Sequence, residues 1–186
     1  MIILPSKEKF IRENFIEFSF NSDDENYLPD FRLFEKLNST DQYYLAENYN
    51  WDDGVEILKW IIESKKCDKG TASLIFWTSE PDYYFEKSES EISDYEKDTF
   101  LLLKRIVEKF NNKEFKKSNL KYNPTEREKR IDWSKQNSEW NIPEELKKPT
   151  KGFSLISLGI IQHKIWQWQR NRKEAKRAKK RMQRKK

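Results

Sequence analysis

Two short apolar stretches, each preceded by signals for a helix start, constrain this chain most strongly. The first stretch contains Ile57, Leu58, Ile61 and Ile62. Their spacing of three and four residues places them on one face of an α-helix. The second stretch covers residues 72–77, and the link between the two predicted helices is the short segment 64–67. A link of that length predicts that the two helices are antiparallel neighbours in an αα-hairpin.

Three aspartates stand near the starts of these helices. Asp52 or Asp53 is predicted to cap the first helix and Asp68 the second, since a carboxylate there accepts free backbone N–H groups and complements the helix dipole. The alternative is an acid/base pair or a divalent-metal site, which would need Glu47 or Glu56 to converge on the same point. Capping is favoured because adjacent side chains on a helix diverge.

The other periodic segments also predict helices, and nothing in the body requires a sheet. Positions 11, 15 and 18 predict a helix, although Phe18-Ser19-Phe20 also fits the alternation of a strand. Further predicted helices are the segment opened by Pro29, residues 39–49, and a longer run over 92–110 with Tyr95 and Leu101 on its apolar side. We therefore predict an all-α fold. Its architecture is a helical bundle of antiparallel helix pairs, similar to helical repeats but without a fixed sequence period.

We predict two parts: an all-α body over 1–152 and a C-terminal helix with a basic tail over 153–186. Within the body, the charged connecting segment 111–152 is expected to lie across the helices through its apolar residues. These are Tyr122, Ile131, Trp133, Trp140 and Leu146. The last helix is predicted to begin at Phe153, to dock through its apolar first half, and to continue into solvent.

The net charge of +5 conceals a gradient along the chain. Residues 1–110 carry 14 Lys/Arg against 24 Asp/Glu, whereas residues 164–186 carry 12 against one. An acidic body with a basic tail is the expected arrangement. The apolar run 153–161 is too short to cross a bilayer, and the first twenty residues lack the pattern of a secretion signal.

Cysteine and histidine usage excludes several classes of site. One cysteine cannot form an intramolecular disulfide, and one histidine leaves too few soft ligands for zinc, so we expect no metal, no cofactor and a reducing, cytoplasmic setting. Cys67 stands just before a predicted helix start, which can raise thiol reactivity. Its alternatives are a buried, inert side chain, which we favour, and a catalytic pair with His163.

The aromatic residues around the predicted hairpin form either core or a binding groove. They are Tyr43, Tyr44, Tyr49, Trp51, Trp60, Phe76 and Trp77. Trp and Tyr are enriched at interaction hot spots, so the sequence is compatible with a binding groove as well as with a core. The candidate binding residues are Trp51, Asp52, Asp53, Trp60, Asp68 and Trp77.

The basic tail has three interpretations: a contact for nucleic acid, a docking arm for an acidic protein, or a solvated extension. Lys and Arg displace counterions from phosphates, and Trp166 and Trp168 stand close enough in sequence to stack on bases. An anionic membrane surface fits less well, because the tail lacks an apolar face. The candidate nucleic-acid-binding residues are Arg170, Arg172, Lys173, Lys176, Arg177, Lys179, Lys180 and Arg181.

Three sequence blocks carry a family resemblance over residues 40–85. They are Asn-Tyr-Asn-Trp-Asp-Asp-Gly at 48–54, Cys-Asp-Lys-Gly-Thr-Ala at 67–72 and Ile-Phe-Trp at 75–77. In order and spacing the blocks resemble a bacterial domain family catalogued as a domain of unknown function. The resemblance implies a bacterial, intracellular, small helical protein and brings no assigned catalytic residues.

These observations predict a non-enzymatic bacterial intracellular binding protein whose partner is another protein. Its sharpest form is a toxin-neutralising immunity-type protein, because an acidic body with residues such as Asp23, Asp24 and Asp94 complements a basic nuclease surface. The alternative is a nucleic-acid-associated protein acting through the basic tail. An enzyme built on Asp52, Asp53 and Asp68 is the third hypothesis.

Overall fold

The computed structural model describes residues 1–18, 28–137 and 140–183, and in the last helix it describes side chains only as far as residue 174. The described chain is mostly helical with little strand, which agrees with the predicted all-α class. Asp23 and Asp24 lie outside the described residues. The same holds for the side chains of the basic candidates Lys176, Arg177, Lys179, Lys180 and Arg181.

The helices vary widely in length. In chain order they are α1 (Pro5–Ile11), α2 (Phe31–Phe34), α3 (Ser39–Asn48), α4 (Glu56–Glu63), α5 (Lys69–Thr78), α6 (Asp82–Phe85), α7 (Lys97–Asn111), α8 (Thr125–Glu128) and α9 (Leu158–Gln183). A π-helical turn, Arg12–Ile16, continues α1, and short 3-10 turns occupy Trp51–Asp53, Glu89–Glu91 and Trp133–Lys135.

The start of α3 follows directly from its sequence. Asn38 accepts hydrogen bonds from the backbone of Thr40 and Asp41, and Asp41 in return accepts from the backbone of Asn38, which completes a capping box. The predicted helix start at this position is confirmed. Helix α3 contacts both α4 and α5, and α7 contacts the same two helices, so these four elements surround the main core.

The prediction that Asp52 or Asp53 caps α4 is wrong. Helix α4 begins one turn later, after Val55, and no side chain caps it. Asp52 and Asp53 instead belong to a 3-10 turn that Asn50 caps. Gly54 then redirects the chain with φ +80°, a conformation that suits glycine, and this change of direction separates both carboxylates from the start of α4.

The long helix α7 begins at Lys97, later than the predicted start near residue 92. Residues 89–91 form a separate 3-10 turn instead. Tyr95, predicted on the apolar side, therefore precedes the helix and is 95% exposed, and Leu101 is exposed as well. The buried side of α7 is formed by Phe100, Leu102, Leu103, Ile106, Val107, Lys109 and Phe110.

Residues from the connecting segment 111–152 contribute to the same core. Trp140 and Leu146 are buried, and Tyr122, Ile131 and Trp133 are half-buried against it. Trp140 also donates its indole N–H to the carbonyl oxygen of Tyr84 at 3.1 Å. The segment thus covers the body at the predicted residues. The boundary at residue 152 stays a prediction.

A two-stranded parallel sheet, absent from our expectations, brings the N-terminus to the start of α9. Strand β1 (Ile2–Ile3) pairs with β2 (Ile156–Ser157). Each strand is too short to give a recognisable alternation of side chains. The sheet fixes the chain immediately before α9, and Ser157 caps that helix by accepting a hydrogen bond from the backbone N–H of Ile160 at 3.0 Å.

The prediction that the last helix begins at Phe153 and docks through its apolar half is wrong. The helix begins at Leu158, because residues 156–157 pair with β1. Five of its apolar side chains have exposed fractions between 41% and 57%. These residues are Ile160, Ile161, Ile165, Trp166 and Trp168. Helix α9 contacts α1, and Gly159 near its start lies against the side chain of Glu8.

Candidate binding surfaces

Asp68 is a structural centre in which both carboxylate oxygens are occupied. It caps α5 by accepting from the backbone N–H of Gly70 at 2.9 Å, as predicted. It also accepts from the backbone N–H groups of Asn119 at 2.7 Å and Leu120 at 3.3 Å. Asp68 is fully buried. A buried carboxylate with three backbone donors holds a distant segment against a helix start and has no free oxygen for a ligand.

The block Cys-Asp-Lys-Gly-Thr-Ala therefore has a packing explanation. The chain at Leu120 passes so close to Gly70 that a Cβ on Gly70 would overlap the Leu120 carbonyl oxygen. The backbone N–H of Lys69 donates to the carbonyl of Lys117 at 2.9 Å, which strengthens the same junction. Asp68 thus has a structural role, and its buried carboxylate is not exposed to a binding partner.

Cys67 is buried, as the inert interpretation predicted. Burial raises the pKa of its thiol well above the usual range, which keeps the sulfur protonated and unreactive. Its sulfur lies 3.7 Å from the carbonyl oxygen of Asp68. His163 is exposed on α9 and stacks on Trp166, with ring centroids 6.0 Å apart.

The turn that contains Trp51, Asp52 and Asp53 lies at the surface. Asn50 donates its side-chain amide to Asp53 at 3.3 Å, and the hydroxyl of Tyr49 donates to the carbonyl oxygen of Asp53 at 3.4 Å. Trp51 is half-buried against the core. The turn closes the connection between α3 and α4, and its carboxylates do not meet Asp68, whose oxygens are buried elsewhere.

Trp60 lines an open groove between α2 and α4. Its ring lies 5.0 Å from that of Phe31 and 5.6 Å from that of Phe34, with the first pair edge to face. Phe31 is 47% exposed, whereas Phe34 is buried below it. The groove has a volume of about 590 Å³. We call this three-ring cluster the aromatic groove, and its lining is largely apolar.

The charged side chains around the aromatic groove are largely held in place. Glu56 accepts the indole N–H of Trp60 at 3.0 Å. Lys59 pairs with Asp98 at 2.9 Å. Glu63 accepts two hydrogen bonds from Arg105, at 2.6 and 3.1 Å. These bonds, together with the neighbouring Lys109, lower the pKa of Glu63 below its usual value. The rim is therefore ordered before any partner arrives.

Trp77 belongs to the core and not to a groove. It is 1% exposed, donates its indole N–H to the carbonyl of Leu146 at 2.9 Å, and packs edge to face on Phe76. A polar cleft of about 570 Å³ lies next to it. Arg127, which donates to the Trp77 carbonyl, and Arg130 line this cleft opposite three carboxylates.

The six predicted binding residues do not converge on one site. Trp60 alone lines the aromatic groove, Trp77 borders a different cleft, and Asp68 is structural. The prediction missed Phe31 and Phe34, which form the rest of the groove. The signal was present, since Asp30 caps α2 and both rings follow it three residues apart on one face.

The second exposed surface is the helix α9 and its basic residues. The guanidinium of Arg170 lies 5.6 Å from the ring of Trp166, and that of Arg172 lies 4.7 Å from the ring of Trp168. Both tryptophans are more than half exposed. Each can therefore offer a ring face or edge to a partner while a cation stands beside it.

In the described ranges, no three His, Cys, Asp or Glu side chains come together in a way that would hold a metal ion. No helix within those ranges is long and apolar enough to cross a membrane.

The structure is that of a mostly helical protein with an aromatic groove between α2 and α4. Residues 37–111, which include α3, α4, α5 and α7, match the family model of a domain of unknown function, DUF4274. This match supports the expected resemblance to a domain-of-unknown-function family. Comparisons with curated proteins and with solved structures gave no significant match.

Proposed function

We propose that the chain is a non-enzymatic protein that binds another protein through the aromatic groove. The observation that carries this proposal is the open ring of Phe31, which stands at the rim of a three-ring cluster. Large apolar rings in a preformed pocket are typical anchors for a partner side chain. The ordered charges around the rim limit the entropy lost on binding.

The charge of the body supports a basic partner. Residues 1–110 have ten more carboxylates than cations, and complementary charge both accelerates encounter and selects partners. In its sharpest form the proposal describes a toxin-neutralising immunity-type protein of a bacterial cytoplasm. Replacing Asp23, Asp24 and Asp94 by Asn should slow association at low salt, and an unchanged rate would contradict charge steering.

The test begins with capture of partners from the native host by the full chain and by two variants. Phe31→Ala removes the half-exposed ring of the groove, and Tyr95→Ala serves as a control that removes an aromatic ring from another, more exposed position. Affinity for a captured protein should fall by about tenfold or more with Phe31→Ala and remain unchanged with Tyr95→Ala. Equal affinity for both variants contradicts binding through the groove.

The immunity form has a separate test. The captured protein should arrest growth when expressed alone in bacteria, and growth should return on co-expression of the full chain. Phe31→Ala should restore growth less well at matched expression. A captured protein without toxicity would remove the immunity role but would leave protein binding in place.

A second candidate function is nucleic-acid association through the basic tail. The exposed Trp166 and Trp168, each with an arginine beside its ring, favour it because aromatic stacking and phosphate contacts are the two components of sequence-tolerant binding. A chain that ends at Trp168 should lose this binding, and the full chain should show a steep salt dependence. Retention of binding by the shortened chain would exclude the tail.

We further propose that α3, α4, α5 and α7 form a bundle of antiparallel pairs and that residues 153–186 act as a separate C-terminal unit. The projecting position of α9 supports the second statement. Limited trypsin digestion should cut first at or after Lys164 and leave the body intact. Early cleavage within the body would contradict the proposed division.

A further inference from the structure

A lysine-rich surface on the body lies apart from both the aromatic groove and the tail. Two segments form it, residues 117–121 and 148–153, and both are held by backbone hydrogen bonds. The N–H of Phe153 donates to the carbonyl of Asn119 at 2.8 Å, and the N–H of Lys121 donates to the carbonyl of Phe153 at 3.0 Å. Phe153 and Leu120 thereby form an isolated parallel bridge.

The lysines of this surface are exposed to solvent. Leu120 is fully buried, whereas Lys117 and Lys121 on either side of it are exposed, as is Lys151 in the adjacent segment. Among the described residues none of these three lysines forms an ion pair with a carboxylate. Lys148 has only a long contact with Glu144, at 3.9 Å. Glu144 lies beside Lys148 and Glu145 pairs with Lys69, but positive charge is still in excess on this surface.

Phe153, whose backbone is bonded to that of Lys121, adds an exposed aromatic ring to this surface. Its side chain is 72% exposed, although its backbone is fixed on both sides. Gly152 has φ +123°, and a Cβ there would overlap the backbone of Asn119, so the two segments approach as closely as glycine permits. A rigid backbone that presents one open ring among lysines is a preformed surface.

Rigidity of the surface comes from the centre at Asp68. That carboxylate accepts from the backbone of Asn119 and Leu120, and Thr150 accepts from the N–H of Tyr122 at 2.7 Å while donating to the carbonyl of Leu120 at 2.9 Å. Hydrogen bonds therefore fix the backbone of the two segments that carry the lysines and Phe153. Beside them lies a recess of about 520 Å³ with Lys69, Lys148 and Lys151 in its lining.

We propose that this surface, formed by Lys117, Lys121, Lys148, Lys151 and Phe153, binds single-stranded nucleic acid. The lysines neutralise backbone phosphates, and one unpaired base stacks on the ring of Phe153. A single strand is required because bases in a duplex are already stacked on their neighbours and cannot reach an aromatic side chain. The proposal does not rest on protein binding by the aromatic groove, and the surface lies outside the tail.

The test uses the full chain and fluorescein-labelled 12-nucleotide strands of uridine or thymidine, with a duplex of the same length for comparison. Affinity is measured by fluorescence anisotropy over a range of salt concentrations. Phe153→Ala should weaken single-strand binding by about tenfold or more, the effect of losing one stacked base. Tyr95→Ala, which removes another exposed ring, should change the affinity less than about twofold.

A charge-matched pair of variants examines the phosphate contacts. Lys121→Gln combined with Lys151→Gln should reduce the slope of log affinity against log salt by about 1.4, because each phosphate contact to a single strand contributes about 0.7. Lys36→Gln combined with Lys97→Gln removes two exposed lysines elsewhere and should leave the slope unchanged. A photo-crosslinked 4-thiouridine strand should label the tryptic peptide 152–164.

Three results would overturn the proposal. They are equal affinities for Phe153→Ala and Tyr95→Ala, cross-links confined to residues beyond 164, and stronger binding to the duplex than to the single strand. Binding to polyglutamate with none to either oligonucleotide at low salt would identify an acidic protein as the ligand instead. Circular dichroism of each variant confirms that it is folded, which is expected because the replaced side chains are exposed.

Discussion

The starts of α5 and α9 are both capped by a side chain, yet only the first is enclosed by the rest of the chain. Asp68 caps α5 and is also bonded to backbone about fifty residues away. Ser157 caps α9, but the apolar side chains that follow remain exposed. The comparison shows that a cap and an apolar stripe specify a helix, whereas burial depends on whether another segment covers that stripe.

The largest difference should appear when the two caps are removed. Asp68→Ala leaves three buried or half-buried backbone N–H groups without an acceptor and should lower the free energy of unfolding by about 3 kcal/mol or more. Ser157→Ala removes one exposed cap and should cost about 1 kcal/mol or less. Urea denaturation followed by circular dichroism measures both. If both variants lost a similar free energy of unfolding, the bonds from Asp68 to Asn119 and Leu120 would add little to the stability of the fold.

Two isoleucines test burial on α4, which belongs to the enclosed body, and on α9. Ile61 in α4 is fully buried, whereas Ile161 in α9 is 41% exposed. Ile61→Ala should lower the free energy of unfolding by about 3 kcal/mol through lost burial and a residual cavity. Ile161→Ala should change it by less than about 0.5 kcal/mol. A large loss for Ile161→Ala would indicate that α9 is covered in solution, for example by a second copy.

Two glycines test how tightly each helix start is packed. Gly70→Ala places a methyl group against the backbone carbonyl of Leu120, which Asp68 holds in position, and should destabilise the fold by about 2 kcal/mol. Gly159→Ala meets only the carboxylate end of the Glu8 side chain, which can rotate away. Its effect should stay within about 1 kcal/mol, since alanine also favours the helix. Thermal unfolding of both variants measures the difference.

Local signals allowed much of the fold to be predicted. The capping box at Asn38 and the cap at Asp68 act within a few residues, so their chemistry is visible in the sequence. The helical class follows from the apolar spacing for the same reason. The start of α4 was misplaced because the positive φ of Gly54 turns the chain between Asp53 and the helix, and two neighbouring aspartates give no sign of which turn they join.

Long-range partners could not be predicted from the residues that they meet. No residue close to Asp68 in the sequence indicates that the backbone N–H groups of Asn119 and Leu120 will donate to it. In the same way, no residue close to Phe153 in the sequence indicates that the N–H of Lys121 will donate to its carbonyl oxygen. The aromatic groove depends in the same way on α2 meeting α4. Trp60 was therefore identified as a candidate without Phe31, the ring that opens the groove to a partner.

The smallest effect is expected from the ion pairs. On the body Glu63 pairs with both Arg105 and Lys109, whereas on α9 Glu174 pairs with Arg170. Hydrogen bonds from Arg105 lower the pKa of Glu63 below its value in the unfolded chain, about 4.5. The folded state then binds fewer protons, so this stabilisation is present above pH about 4.5 and is lost as the pH falls through the lower folded pKa. Because Glu63 is half exposed, solvent screening limits the effect to less than about 1 kcal/mol.

Glu63→Gln should flatten the acid limb of a stability–pH curve measured by urea denaturation, whereas Glu174→Gln, which removes only the pair with Arg170, should not. An acid limb unchanged by Glu63→Gln would place the acid sensitivity in other carboxylates.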